Sequence, residues 1–479
     1  MRKLIAIIIV FFAIQSSSIL FGSAISFSPV IEVDIGISSS SYKHLISQTE
    51  KKPYDIYVKT TGDSEYRTAT INIRGYSSKE IGLLTKTKRI PFEVSFPEVQ
   101  FFSGLENKSV KFINSFTPYR LIAEYLALDL FDFAGIPTPA HSLAFIRFNG
   151  VDFGLYIAVE DVNKPFLRKW YKEPLGSAYK ATFDNTKAAD YVDSEWFGVL
   201  FEKVSGESNH FAELISSLDR GEGYEQYVDL DEWLRYFACV AVIGGDGSIF
   251  SEQNNFVLYD NNGKYQLIPW DLSEAFSGRE TVNGIDRYYI WDELNNPNPL
   301  FDLIMKNPAN RAKYHEYIRQ FADGFLSPDI INKRFNEIIE AISPYLSLDH
   351  SIFLNSDTAR EELLCDSPDS LLSLRHTLTE SYKNLLYQLS GIESVYFSNE
   401  LFSSIYNEDF EVLVPMLEKQ SSKYDPLLPK KIESSYAKWN QTSEAQTRDL
   451  SVPCLIGIIS VVFAGTIVYC MKKRRKKKA

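Results

Sequence analysis

Four cysteines in 479 residues leave no basis for a disulfide framework. Cys454 and Cys470 lie in a long apolar run near the C-terminus, so Cys239 and Cys365 alone remain for the body and allow at most one bridge. Cys239, inside the apolar stretch from Tyr236 to Ile243, reads as core. Histidine is equally sparse. None of His44, His141, His210, His315, His350 and His376 pairs at metal-ligand spacing, and no Cys-x-x-Cys exists, which removes a zinc centre. A Gly-x-Ser-x-Gly elbow, a Gly-x-x-x-x-Gly-Lys phosphate loop and a three-glycine dinucleotide loop are also missing, so serine hydrolases, P-loop enzymes and Rossmann enzymes drop out. Bases are scarce where a nucleic-acid binder needs them. Nine of the 50 Lys and Arg residues sit at Arg2, Lys3 and positions 472–478, leaving 41 against 62 acids, a net of −21 for the stretch between. Such a body repels a phosphate backbone, and no nucleic-acid partner is expected.

What is present begins with bulk: 45% apolar and 14% aromatic residues suffice for a large core and exclude a disordered chain. The two ends point to a membrane. Residues 1–24 combine a basic start, an apolar run from Leu4 to Ile14 and a small-residue exit at Gly22-Ser23-Ala24, the pattern of a signal peptide cleaved after Ala24. Residues 452–471 carry no charge, and twenty residues at ~1.5 Å each span about 30 Å, one hydrocarbon thickness. Seven consecutive bases follow at 472–478, which hold that end in the cytosol and favour anionic lipid. The expectation is a single-pass type I membrane protein with a lumenal or extracellular body and a basic tail at 472–479. The ending Lys476-Lys477-Lys478-Ala479 fits a dilysine retrieval signal of the endoplasmic reticulum and fits a plain stop-transfer cluster that lets the protein reach the cell surface. In a secretory compartment the sequons at Asn107 and Asn440 become glycosylation sites.

Between the ends, alternating apolar positions predict strands at Ile31, Val33 and Ile35, at Ile56 and Val58, at Ala69, Ile71 and Ile73, and over 92–96. Residues 121–133 have the spacing of a buried helix stopped by Gly135 and Pro137. Asn149-Gly150 between two apolar runs predicts a hairpin, since both turn residues tolerate positive φ. From Asp229 the helical period takes over, over 229–243 and again within 303–325, 330–345 and 371–389. The chain therefore reads as a β-rich N-terminal lobe over 25–190, a helical C-terminal lobe over 191–397 and a stalk or terminal helices over 398–451.

Two polar stations interrupt the apolar pattern between Val242 and Phe276. Gly244-Gly245-Asp246 ends a helix, and Asn254-Asn255 opens the strand Phe256 to Tyr259. A turn at Asn262-Gly263 then pairs a second strand back, and that strand leads into Trp270-Asp271. This order brings Asp246, one of the two asparagines and Asp271 to one end of a two-stranded ribbon, an oxygen-rich set suited to Mg²⁺ or Mn²⁺ with substrate phosphates. Phosphoryl transfer needs such a set, because a carboxylate must orient the hydroxyl while further oxygens hold metal on the phosphates. Taken one at a time, the same residues serve equally as helix caps and strand starts. So acidic a body also needs cations to receive a triphosphate, and Arg74, Lys88 and Lys180 are candidates, with Glu160 as the acid holding one of them.

Several motifs occur in the order found in the CotH kinases, a family of atypical protein kinases that includes spore-coat proteins and fungal surface invasins. Arg74-Gly75-Tyr76-Ser77-Ser78-Lys79 resembles the family's Arg-Gly-Asn-Ser-Ser-Arg, and Lys86-Thr87-Lys88-Arg89 follows. The Asn149-Gly150 hairpin ending in Glu160-Asp161, then Ala178-Tyr179-Lys180, then Asp246, Asn255 and Trp270-Asp271 continue the resemblance, which covers about residues 31–277. Tyr76 stands where the family has Asn, Ser273 where a second acid is common, and eight residues separate Asp246 from Asn255. The resemblance implies an α+β, two-lobed, atypical kinase-like fold. It also implies use of ATP with Mg²⁺ or Mn²⁺, and phosphorylation of Ser or Thr in secreted or surface proteins. By it Asp246 is the catalytic aspartate, and Asp271 with Asn254 or Asn255 holds the metal. A non-catalytic surface adhesin or invasin-like binding protein on the same scaffold is the competing expectation.

Overall fold

The computed structural model describes residues 30–47, 52–73, 90–102, 105–114, 118–173, 175–182, 191–194, 199–206, 210–244, 255–272, 275–276, 299–349 and scattered positions between 374 and 389. The chain separates into two units, 1–386 with 396–407, and 387–395 with 408–479. All elements named below belong to the first. Among the described residues no helix is long and apolar enough to cross a membrane. The expected span at 452–471, the signal peptide and the stalk lie outside them.

The predicted strands form where period-two burial demanded them. β1 (Ile31–Gly36) turns Ile31, Val33 and Ile35 inward, and after helix α1 (Ser39–Ser47) come β2 (Tyr54–Thr60), β3 (Arg67–Ile73), β4 (Phe92–Phe102) and β5 (Leu105–Ile113). Helix α2 (Pro118–Phe133) follows, buried along most of its length and ended by Gly135 at φ 68°. The Asn149-Gly150 turn joins β6 (His141–Phe148) to β7 (Val151–Glu160), both turn residues having positive φ as expected. These seven strands close into a barrel of order β1-β2-β3-β4-β5-β7-β6. Its interior holds Val33, Val58, Ile71, Phe92, Val94, Val110 and Phe112, with the cross-strand pair Phe92 and Phe112 stacked at 4.9 Å.

Closure is what alternation alone does not predict, because it joins the first strand to the sixth, in parallel, from Ile31 opposite Ala144 to Ile35 opposite Phe148. Asn149 makes the join. Its backbone N–H donates to the Ile35 carbonyl at 2.9 Å, its Oδ1 accepts from the Ile37 N–H at 2.8 Å, and its Nδ2 donates to the Ile37 carbonyl at 2.9 Å. The turn residue thus extends the ladder by imitating one more peptide unit.

The second sheet was legible only in part. After helix α3 (Lys164–Trp170) come β8 (Ala178–Thr182), β9 (Tyr191–Ser194), β10 (Val199–Ser205), helix α4 (Phe211–Arg220), helix α5 (Leu230–Ile243), β11 (Phe256–Asn261) and β12 (Lys264–Pro269). The sheet order is β12-β11-β8-β10-β9. Only the β11–β12 hairpin was expected. β9 and β10 lie in the stretch read as helical, and the sheet draws β8 and β11 together from either side of residue 190, so β structure continues past that boundary. The remaining helices are α6 (Pro299–Met305), α7 (Pro308–Gly324) and α8 (Pro328–Leu346). α8 is tied to the rest by Arg334, whose Nε donates to Asp129 of α2 at 2.8 Å, and by Tyr345, whose hydroxyl donates to Glu32 of β1 at 3.0 Å. Just beyond it, Asp349 accepts the Leu155 N–H at 2.8 Å and fills the space where a Cβ at Gly154 would sit.

Asn149→Ala loses both side-chain bonds to Ile37 and forces alanine to positive φ, so we expect a loss of about 1–3 kcal/mol in a urea titration. Asn149→Gly, which tolerates the φ, should lose less.

Candidate active site

The β11–β12 hairpin is closed by Asn262 and Gly263, both at positive φ, and its first pair at the open end is Phe256 with Pro269. Asn255 therefore emerges beside Trp270 and Asp271, and its Nδ2 donates to the Asp271 carbonyl at 3.1 Å. Asp271 is exposed, at φ 50°, a left-handed conformation that Asp tolerates better than most residues and that turns the chain away from the strand. Five residues later the Phe276 N–H donates to the Ile243 carbonyl at 2.8 Å, which returns the chain to the end of α5, three residues before Asp246 in sequence. The ordering argument thus holds for Asn255 and Asp271. Asp246, Asn254, Arg74, Lys88 and Asn440 lie outside the described residues.

Lys180 sits on the central strand β8, opposite Val257 of β11 and Glu202 of β10. Its Nζ lies 3.8 Å from the centre of the Trp270 ring. A second ammonium group, that of Lys111 on β5, lies 3.2 Å from the same centre. The barrel and the second sheet thus each send one lysine to the indole next to Asp271. The two nitrogens are within about 7 Å of one another, which costs at least ~2 kcal/mol of repulsion at an effective dielectric of 20. Cation–π attraction at a partly exposed ring returns about 1 kcal/mol each. Asp161, paired with Lys111, offsets part of the remainder. In chemical type, two ammonium groups suit phosphate oxygens, and the side-chain oxygens of Asp271 and Asn255 are the hard donors a divalent cation takes. Among the described residues no group of three His, Cys, Asp or Glu side chains converges on a metal position.

Lys111 was not among the expected cations. It lies in the apolar strand Val110-Lys111-Phe112 and is buried, and a buried lysine in such a run is the signal that identifies it. Its partner corrects another expectation. Among the described residues Glu160, fully buried, pairs with Lys169 and not with Lys180: its Oε2 accepts from the Ala140 N–H at 3.1 Å and lies 3.6 Å from Lys169, and its Oε1 accepts from Asn107 at 3.2 Å. The acid facing the site is the next residue, Asp161, because β7 ends there and the side chain alternates to the other face.

Asn107 is corrected as well. It is 1% exposed, its Nδ2 donates to Glu160 and to the Asp161 carbonyl at 3.1 Å, and its Oδ1 accepts from the Lys108 N–H at 2.7 Å and from Asn163 at 2.6 Å. The nitrogen that would carry a glycan is the donor that fastens β5 to the end of β7. Ser109, the other half of the sequon, donates to Asp161 at 3.0 Å.

Helix α5 supplies one more ionisable group behind the site. Glu232 is buried, and both its oxygens lie 3.2 Å from the Leu267 nitrogen of β12, whose N–H they accept. Burial pushes its pKa well above the usual 4.5, the Leu267 N–H opposes that rise, and Asp229 adds to it.

The sequence model of the CotH kinase protein family matches residues 71–363, a span that contains the barrel from β3 onward, the second sheet and helices α2 to α8. The chain belongs to that family. Over 279 residues it is 22% identical to the inner spore coat protein H of Bacillus subtilis (strain 168), covering 55% of this chain and 75% of that protein. The CotH match takes in Lys111, Asp161, Lys180, Asn255, Trp270 and Asp271 together, so the site just described falls wholly inside the shared region.

Two outcomes follow. Expressed through a secretory pathway, the chain should carry no glycan on Asn107 in a peptide mass map, and Asn107→Gln should cost about 1–3 kcal/mol by denaturant titration, since it disturbs the bonds to the buried Glu160 carboxylate and the Asp161 carbonyl. Glu232 keeps in the folded state a proton that the unfolded chain sheds above about 4.5. Its contribution therefore turns against folding as pH rises through and beyond that value. Glu232→Gln should melt higher than wild type at pH 7 and match it near pH 4 in paired thermal scans.

Proposed function

We propose that the protein is a membrane-anchored CotH-type protein kinase that transfers the γ-phosphoryl group of ATP to Ser or Thr of proteins on the non-cytosolic side of a membrane. The observation that carries this is the meeting of Lys111 and Lys180 on Trp270, beside an Asp271 whose carbonyl is gripped by Asn255. Two ammonium groups drawn from separate sheets onto one surface, next to an exposed carboxylate, match a nucleotide triphosphate better than any neutral ligand.

In this scheme Lys111 and Lys180 bind the phosphate oxygens, with Arg74 and Lys88 as further donors. Asp161 orients the Lys111 ammonium group, and Trp270 keeps the two lysines apart and shields them from bulk water. Asp271 and Asn255 or Asn254 hold Mg²⁺ or Mn²⁺, which when bound neutralises charge on the β- and γ-phosphates. Asp246 accepts the proton of the substrate hydroxyl. That oxygen bonds to the γ-phosphorus, the bond from the γ-phosphorus to the bridging oxygen breaks, and ADP leaves with the electron pair. The run at 452–471 and the bases at 472–478 fasten the enzyme to its membrane, in the endoplasmic reticulum or at the surface.

The test is transfer of label from [γ-³²P]ATP in Mn²⁺ by the full chain in detergent, with folding checked by circular dichroism. Asp246→Ala and Asp271→Ala should each lower transfer by about 10²-fold or more, and Lys111→Met by about tenfold with a raised KM for ATP. Equal transfer by all four proteins would overturn the assignment. Nucleotide binding without transfer by wild type would favour the binding-protein alternative.

A further inference from the structure

β12 is the edge strand of the second sheet, and an edge strand exposes every second N–H to whatever lies outside it. In the β11–β12 hairpin those outward positions are Tyr265, Leu267 and Pro269. Each is dealt with separately. The Tyr265 N–H donates to the Tyr227 carbonyl at 2.7 Å, Leu267 donates to Glu232, and Pro269 has no N–H to satisfy. The start of α5 adds three bonds to the same strand: the Tyr265 carbonyl accepts from the Asp229 N–H at 3.0 Å and from Trp233 Nε1 at 2.9 Å, and Gln266 Nε2 donates to Asp229 at 2.7 Å. At the far end of the helix, the Ile243 carbonyl holds the Phe276 N–H. Helix α5 is thus bonded to β12 at its start and to Phe276 at its end, and Trp270 and Asp271 follow β12 directly, before that second bond.

Glu232 is the helix side chain bound nearest to Asp271 along β12, at Leu267, four residues before it. It comes from the helix, so its bond measures the strand against α5. We propose that Glu232 is a positioning residue for phosphoryl transfer: its grip on the Leu267 N–H sets where Trp270 and Asp271 stand relative to the C-terminal end of α5. The inference rests on the kinase assignment above and deepens it. A carboxamide of the same shape keeps a carbonyl oxygen that can accept the same N–H. Glu232 itself touches neither nucleotide nor hydroxyl in this scheme.

The experiment compares wild type, Glu232→Leu and Glu232→Gln as full chains in detergent, reading kcat, KM for ATP and the Mn²⁺ concentration at half-maximal rate. Displacing a reacting group by about an ångström costs on the order of 10²-fold, so Glu232→Leu should lower kcat by ~10²-fold, raise the Mn²⁺ requirement about tenfold and leave KM for ATP within about threefold. Glu232→Gln should restore both parameters to within about threefold of wild type. A purely structural role would lower the folded fraction of Glu232→Leu and leave the Mn²⁺ requirement of the folded protein unchanged, which would overturn the proposal. Gln266→Met, which removes the neighbouring link to Asp229 near the surface, should shift the Mn²⁺ requirement in the same direction by about threefold, and decides the matter if Glu232→Leu does not fold. If wild type binds a fluorescent ATP analogue without transferring phosphate, the kinase assignment fails while the brace is still read by the Mn²⁺ dependence of that binding. An unshifted Mn²⁺ dependence in all variants sinks the brace alone.

Discussion

A β-strand at the edge of a sheet must place every outward N–H, and in this protein that requirement couples the helical part of the chain to the candidate active site. β12 meets it with one carbonyl, one buried carboxyl and one proline. A carboxyl in that role is costly to bury, and a leucine or alanine there would cost less if packing alone mattered. Its presence makes sense where the strand's position along its own axis has to be specified, because apolar contacts tolerate sliding and a directed hydrogen bond does not. The residues that follow the strand are Trp270 and Asp271.

The barrel contributes to the same place through a different set of bonds. β5 ends its polar half with Asn107, Ser109 and Lys111 on one line, and the end of β7 answers with Glu160 and Asp161. Asn107 ties the two strands, Asn163 caps α3 and donates to Asn107, and Lys111 reaches beyond the barrel to Trp270. Buried polar groups this dense are stabilising only when all are satisfied, so the network holds the Lys111 stem rigid while its ammonium group is presented at the edge. The lysine of the second sheet, Lys180, is fixed by pairing on both sides, as the middle strand of five. Two rigid bodies each deliver one cation, and the arrangement is preorganised for an anion rather than assembled by it.

Membership of the CotH kinases accords with this geometry, and the matched span begins at β3 and ends after α8. The ties from α8 to Asp129 and Glu32, and from Asp349 just beyond it to the Leu155 N–H, give a physical reason for the shared region to extend so far past the candidate site. Without the segment from α8 to Asp349, β1, α2 and β7 each lose a partner.

Local chemistry was readable directly from the residues. Period-two burial placed β1, β2, β3 and β4, helical spacing with Gly135 placed α2, and the two Asn-Gly pairs placed both hairpins, because positive φ at consecutive positions admits few other residues. The meeting of Asn255 with Asp271 was legible for the same reason, since a two-residue turn fixes register along the whole ribbon. Tertiary structure alone decided the parallel join of β1 to β6, the sheet partners of β8, and the arrival of Lys111 at Trp270. It also decided that Asp161 rather than Glu160 faces the site and that Asn107 is a buried crosslink rather than a glycan acceptor. Each of these depends on contacts between residues fifty to more than a hundred and fifty positions apart, where no periodicity carries information and only the shared requirement to bury apolar surface with every polar group satisfied selects the pairing.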